Sequence, residues 1–130
     1  MRLAFCDSSA LVKLIVDEPE SAALRQSLGA YSHVLASELA EVEVPRAVRR
    51  SDPGRVVLAQ RLIRNLETVA LDQSVIKRAA SLDPVELRSM DAVQLACALR
   101  LGPLDPVFIA YDKRIIRAAS AAGLRTLSPE

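Results

Sequence analysis

Leu3-Ala4-Phe5-Cys6-Asp7 and Val107-Phe108-Ile109-Ala110-Tyr111-Asp112 decide how this chain folds. Each is a short apolar run closed by an aspartate, and each leads into a segment with helical spacing, Ser8 to Val16 after the first and residues 113–122 after the second. Both aspartates therefore fall at the carboxyl end of a predicted strand. In an open α/β sheet that edge is where ligands and catalytic groups gather.

The same alternation continues outward from these two runs. Glu18-Pro19-Glu20-Ser21 reads as a turn with Pro19 opening a helix to Leu28, which Gly29 stops. His33-Val34-Leu35-Ala36 reads as a second strand, and Ser37 as the cap of a helix over 37–50 kinked by Pro45. Asp52-Pro53 should cap and open a helix ending near Asn65. Glu67 to Leu71 is a third strand, and Asp72 caps a helix to Leu82. Asp83-Pro84-Val85-Glu86 has capping-box spacing and should form a short helical turn. Residues 89–101 are a strongly apolar helix closed by Gly102-Pro103, with Ser89 the expected cap. Residues 107–111 are the fourth strand, 113–122 a helix stopped by Gly123, and 125–127 a last strand. Strands alternating with helices imply a mainly parallel sheet of about five short strands flanked by helices on both faces. No repeat or interdomain linker interrupts 1–130, so a single α/β domain is expected, with only Ser128-Pro129-Glu130 loose.

Composition narrows the classes. Hydrophobic residues make up 51% of the chain and aromatics only 3%, so the core must be chiefly Ala, Leu and Val. No apolar stretch approaches the roughly 20 residues that cross a bilayer, and the early Asp7 is unlike a signal peptide, so a cytoplasmic, membrane-free protein is expected. One histidine and two unrelated cysteines do not make a zinc site; Cys6 and Cys97 read as buried, reduced thiols and His33 as structural. The net charge of +1 conceals a basic stretch over 44–65. Six arginines there (46, 49, 50, 55, 61 and 64) face the single acid Asp52, a local charge of +5. Such a stretch is either a solvated helical face or a surface for phosphates or an acidic peptide.

Of the 16 acids, two more stand out by helix phase. Glu43 lies on the flank of the apolar side marked by Leu39, Ala40, Val44, Ala47 and Val48, whereas Glu38 and Glu41 project away from it. Asp91 heads the stripe formed by Leu95 and Ala98. Helices carrying these two acids can lean over the edge that holds Asp7 and Asp112. Each strand-end aspartate alone could simply cap the next helix. Four carboxylates converging without compensating charge would repel, and a divalent cation resolves that conflict.

Four segments resemble the PIN-domain nucleases and, among them, the VapC-type toxins of type II toxin–antitoxin pairs. They are Phe5-Cys6-Asp7-Ser8-Ser9-Ala10-Leu11-Val12-Lys13-Leu14, Ala36-Ser37-Glu38-Leu39-Ala40-Glu41-Val42-Glu43-Val44, Leu87-Arg88-Ser89-Met90-Asp91-Ala92-Val93-Gln94-Leu95-Ala96, and Phe108-Ile109-Ala110-Tyr111-Asp112-Lys113-Arg114. The likeness spans nearly the whole chain in order and spacing. It implies a PIN-like fold and a Mg²⁺-dependent endoribonuclease in which Mn²⁺ can substitute. It also implies a homodimer and inhibition by a cognate VapB-type antitoxin within a toxin–antitoxin hetero-oligomer. Asp7, Glu43, Asp91 and Asp112 match the family's acidic quartet, and Ser9 its accessory polar position. Three departures stand out: Ala110 replaces a hydroxyl residue, Arg114 an acid, and Pro45 a helix former.

On that resemblance Asp7 and Asp91 are expected to bind the metal directly, and Glu43 and Asp112 through water or a second ion. Arg46, Arg88 and Arg114 are the candidates for holding RNA, through phosphate contacts, since aromatics for stacking bases are scarce. Two other readings remain: a catalytically weak PIN-like interaction module, and an aspartate-based phosphotransfer protein. The second is disfavoured because Ser9 stands where a haloacid-dehalogenase-like pattern wants a second aspartate.

Overall fold

In a computed structural model describing residues 1–130, strand β1 (Leu3–Cys6) is central in a five-stranded sheet in which every pairing is parallel. β2 (His33–Ser37) and β4 (Val107–Ile109) flank it, and β3 (Glu67–Val69) and β5 (Arg125–Leu127) form the edges. The order is β3-β2-β1-β4-β5. Phe5 stands opposite Phe108 and Cys6 opposite Ile109, so the carboxyl ends of β1 and β4 are level. The Asp7 N–H extends this pairing by donating to the Ile109 carbonyl at 3.1 Å.

All four residues of β1 are buried because both faces of the sheet are covered. Side chains on a strand alternate between faces. Ala4, Cys6, Ala36, Val107 and Ile109 accordingly pack into one core with helices α1 (Ser8–Lys13), α2 (Ser21–Leu28), α3 (Ala40–Ser51) and α4 (Val56–Asn65). Phe5, Val69, Phe108 and Ala110 pack into the other, with α5 (Gln73–Ala80), α6 (Ser89–Arg100) and α7 (Lys113–Ala121). The rings of Phe5 and Phe108 stack across the strand pair with centroids 5.8 Å apart. Burying each ring contributes about 1.5–3 kcal/mol. Cys6 and Cys97 are free and buried, as expected.

Several boundaries differ from the sequence expectation. The helix expected to reach Val16 ends at Lys13, whose ammonium is drawn into ion pairs with Glu18 (3.1 Å) and Glu20 (3.0 Å) and lies over the Tyr111 ring. Pro19 lies in the turn, and α2 starts only at Ser21. Ser37 belongs to β2, and the Glu38 N–H donates to the Val69 carbonyl, so α3 starts at Ala40 rather than 37. The Ser37 hydroxyl accepts from Leu39 N–H within that turn. Pro45 sits inside α3, which runs on to Ser51. Pro53–Arg55 is a separate 3-10 turn before α4. The third and fourth strands are shorter than expected, stopping at Val69 and Ile109, and α5 stops at Ala80.

Asp83–Glu86 is not helical; a turn closed by Leu87 N–H on the Pro84 carbonyl leads into α6. Ser89 is the first residue of α6 rather than its cap, and that helix has no side-chain cap. The carboxyl-terminal residues are tied down instead of loose. Ser128 Oγ donates to the Ala110 carbonyl (2.6 Å), Tyr111 Oη donates to the Pro129 carbonyl (2.8 Å), and Pro129 is buried.

Candidate active site

The carboxyl edge of the sheet brings the four acids into one another's fields. Asp7 follows β1 and caps α1, its Oδ1 accepting from Ala10 N–H (3.0 Å) and from Ser9 Oγ (2.8 Å). The cap and the site are thus the same residue: Oδ1 serves the helix and Oδ2 is left over. Only 6% of Asp7 is exposed. Burial, opposed by the Ala10 and Ser9 hydrogen bonds and reinforced by the charges of Asp91 and Glu43, pushes its carboxyl up to about 6. Ser9 therefore stands where the sequence placed it, on the first acid.

Asp91 is half-buried in the first turn of α6, and no protein hydrogen bond satisfies its oxygens. Burial, then repulsion from Asp112 and Glu43, raises its pKa above the ordinary carboxylate value; Arg88 and Arg114 pull the other way. Glu43 enters from α3, on the opposite face of the sheet from α6. Its Oε1 accepts from Ser8 Oγ (2.7 Å) and from Gln94 Nε2 (2.7 Å), leaving Oε2 free. Asp112 caps α7 through the Arg114 N–H (2.8 Å). The Arg114 side chain then folds back onto both Asp112 oxygens, at 3.4 Å to Oδ1 and 3.2 Å to Oδ2. This pairing holds the Asp112 carboxyl below its usual range.

Arg88 and Arg114 line a small recess beside Asp91 with Pro84, Glu86 and Leu87. Arg46 lies elsewhere, in an exposed patch with Arg49 and Arg50 on α3. The three arginines expected to hold RNA therefore divide into two beside the acids and one on a separate basic surface. His33, on the edge-facing side of β2, pairs with Glu67 (2.8 Å) and has no place at the site.

Whether these residues suit a divalent ion turns on free oxygens and their reach. Asp7, Glu43 and Asp91 each keep at least one oxygen that no protein donor occupies. Hard carboxylate oxygens are the ligand type Mg²⁺ and Mn²⁺ require. As oriented, no three His, Cys, Asp or Glu side chains stand close enough together to hold an ion. Mg²⁺ commonly takes only one or two carboxylates and keeps several waters, and Asp112 can join only by leaving Arg114. The donor chemistry fits, and Asp7 and Asp91 are the two acids whose carboxyls are pushed up by burial first and by neighbouring carboxylates after it.

Gln94 is absent from the candidates that the sequence offers. It is 2% exposed, and its Nε2 reaches both Ser8 Oγ (2.8 Å) and Glu43. Its position one helical turn beyond Asp91, among buried Ala92, Leu95 and Ala96, was the available signal.

The PIN domain family matches residues 4–121. The chain is 38% identical over 129 residues to Ribonuclease VapC46 of Mycobacterium tuberculosis, with 99% of each protein covered. Among solved structures, a toxin–antitoxin complex from Klebsiella pneumoniae superposes with a TM-score of 0.72 at 18% identity, covering 98% of each chain. VapC20 of Mycobacterium tuberculosis, a Sarcin-Ricin loop cleaving toxin, does so with 0.74 at 20% identity, covering 97% of this chain and 99% of that one. At those identities the two structures speak to the fold alone. The matched domain, the near full-length identity and the parallel five-stranded architecture agree: this chain belongs to the PIN-domain family, among its VapC-type ribonucleases.

Proposed function

We propose that the chain is the endoribonuclease toxin of a type II toxin–antitoxin pair, cutting cellular RNA with the help of Mg²⁺ or Mn²⁺. The observation that carries this reading is the full-length identity to a VapC ribonuclease, with Asp7 after β1, Glu43 on α3, Asp91 on α6 and Asp112 after β4 facing the same sheet edge as support. Asp7 and Asp91 would hold the ion directly, and Glu43 and Asp112 through water or beside a second ion. Such an ion supplies charge relief for the phosphate under attack. Glu43 orients the attacking water with Oε2 while Ser8 and Gln94 fix Oε1. Ser9 and the Ala10 N–H keep Asp7 from swinging away from the edge. Arg88 and Arg114 bind the phosphate, and Arg114, on engaging it, releases Asp112.

An antitoxin of the VapB type is the proposed inhibitory partner. The patch of Arg46, Arg49 and Arg50 is the surface offered to an acidic stretch of it or to RNA. We further infer a homodimer; exposed Ile76 and Val85, beside an apolar groove formed with Ala79, Leu82, Leu87 and Val93, leave surface for assembly. No helix is long and apolar enough to cross a membrane, in keeping with a cytoplasmic protein. The Arg114–Asp112 pair and the unconverged acids favour one alternative, a catalytically weak binding module.

The experiment is cleavage of a generic single-stranded RNA with Mg²⁺, with and without EDTA, for wild type, Asp7→Asn and Asp91→Asn. Metal-dependent cutting lost in both variants supports the reading. Variants that cut as fast as wild type refute the site assignment, and a wild type without turnover favours the binding module.

A further inference from the structure

The buried amide of Gln94 is placed for more than packing. It joins α6 to α1 and α3 across residues 86 and 51 positions apart in sequence. Both hydrogen bonds leave from one nitrogen, to Ser8 Oγ at 2.8 Å and Glu43 Oε1 at 2.7 Å, and Ser8 closes the ring by donating to the same Glu43 oxygen at 2.7 Å. A carboxylate only accepts, so the NH₂ end of the amide must face Glu43. That orientation leaves Gln94 Oε1 buried without a donor. A position as buried as this, in a helix whose Ala92, Leu95 and Ala96 are also buried, would be served by an apolar residue if packing were the only demand.

We propose that Gln94 is a positioning residue for the cation site: its amide locks Glu43 Oε1 against Ser8, so that Glu43 presents Oε2, and no other oxygen, to a divalent ion or to a water the ion holds. The inference rests on the metal-dependent reading above and adds to it a residue outside the acidic quartet.

The test is calorimetric titration of Mn²⁺ alone into wild type, Gln94→Met, Glu43→Gln and the double variant, with RNA cleavage measured alongside. Residues that orient a metal ligand typically govern about 10- to 100-fold in metal affinity. Gln94→Met is expected to weaken Mn²⁺ binding by about tenfold, and the double variant to bind no more weakly than Glu43→Gln, because the two act through one carboxylate. Should Gln94→Met fail to fold, Gln94→Asn keeps the amide but withdraws it by one methylene, and the same loss is expected. Wild-type affinity in the folded Gln94 variant overturns the proposal. So does a double variant whose losses multiply, which is what independent packing damage produces. A wild type that binds Mn²⁺ and cuts RNA, beside a Gln94 variant that does both equally well, removes Gln94 and leaves the nuclease reading intact. A wild type that binds no Mn²⁺ removes both.

Discussion

Replacing Asp7 by Asn should stabilise the metal-free protein at neutral pH, although Asp7 is one of the acids proposed to hold the ion. Asparagine keeps an oxygen that accepts from Ala10 N–H and Ser9 Oγ, so the α1 cap survives. What disappears is the burial of a charge, which holds the carboxyl at about 6 against an ordinary 3.8. At about 1.4 kcal/mol per pH unit, that displacement amounts to about 3 kcal/mol. Below about pH 4 the folded and unfolded chains both carry the proton, and the substitution gains nothing. Between about 4 and 6 the unfolded chain releases its proton first, so native wild type loses stability as pH rises; above about 6 the deficit is complete. Thermal unfolding in EDTA should therefore separate the two proteins by about 10 °C near pH 8 and bring them together near pH 4. Saturating Mn²⁺ should narrow or reverse the gap, since an ion that binds only the native wild type adds about 3 kcal/mol at a hundredfold excess over its Kd. An Asp7→Asn protein that melts at or below wild type near pH 8 in EDTA would refute the reasoning. So would an advantage of equal size at both pH values.

Three further outcomes are expected. Arg114→Ala should cost under about 1 kcal/mol of stability, because both partners of its pair with Asp112 are well exposed. It should nonetheless raise the Asp112 carboxyl toward its ordinary value in an NMR titration and slow RNA cleavage. Tyr111→Phe, by removing the hydroxyl that holds the Pro129 carbonyl, should cost about 1 kcal/mol in urea denaturation. It should also speed amide exchange at residues 127–130. Reversing Arg49 and Arg50 to Glu should weaken capture of an acidic antitoxin segment at least tenfold in a binding assay while leaving the fold unchanged, since both are exposed on α3. Unaltered affinity would move that interface elsewhere.

The central strands were legible because 3–6 and 107–109 are uninterrupted apolar runs, the pattern a parallel strand covered on both faces must have. Asp91 and Glu43 stood out as candidates because an acid on an apolar helical stripe is unusual, whereas Asp7 at a strand end has the further role of capping α1. The errors share a cause: local signals were outbid by partners distant in the chain. α3 begins late because Glu38 N–H is engaged by Val69, and α1 ends early where Lys13 turns to Glu18, Glu20 and Tyr111. Ser128 and Pro129 read as a loose tail, but Ala110 and Tyr111 supply an acceptor and a donor that bind them. Gln94 was passed over because a lone amide in an apolar helix carries no sign of what it faces; Ser8 and Glu43 come to it only after both layers of helices have closed.

The strand order has a consequence for how the molecule is made. β4, which emerges late from a translating ribosome, adds to the open flank of β1, and β5 can follow only onto β4. Until it does, β1 has an open flank, the Asp7 N–H lacks the Ile109 carbonyl, and Asp112 has no fixed position. A nascent chain can thus carry three of its four acids into the cell with no assembled site, and a prematurely terminated one never acquires it. The edge comes into being only with the near-complete polypeptide.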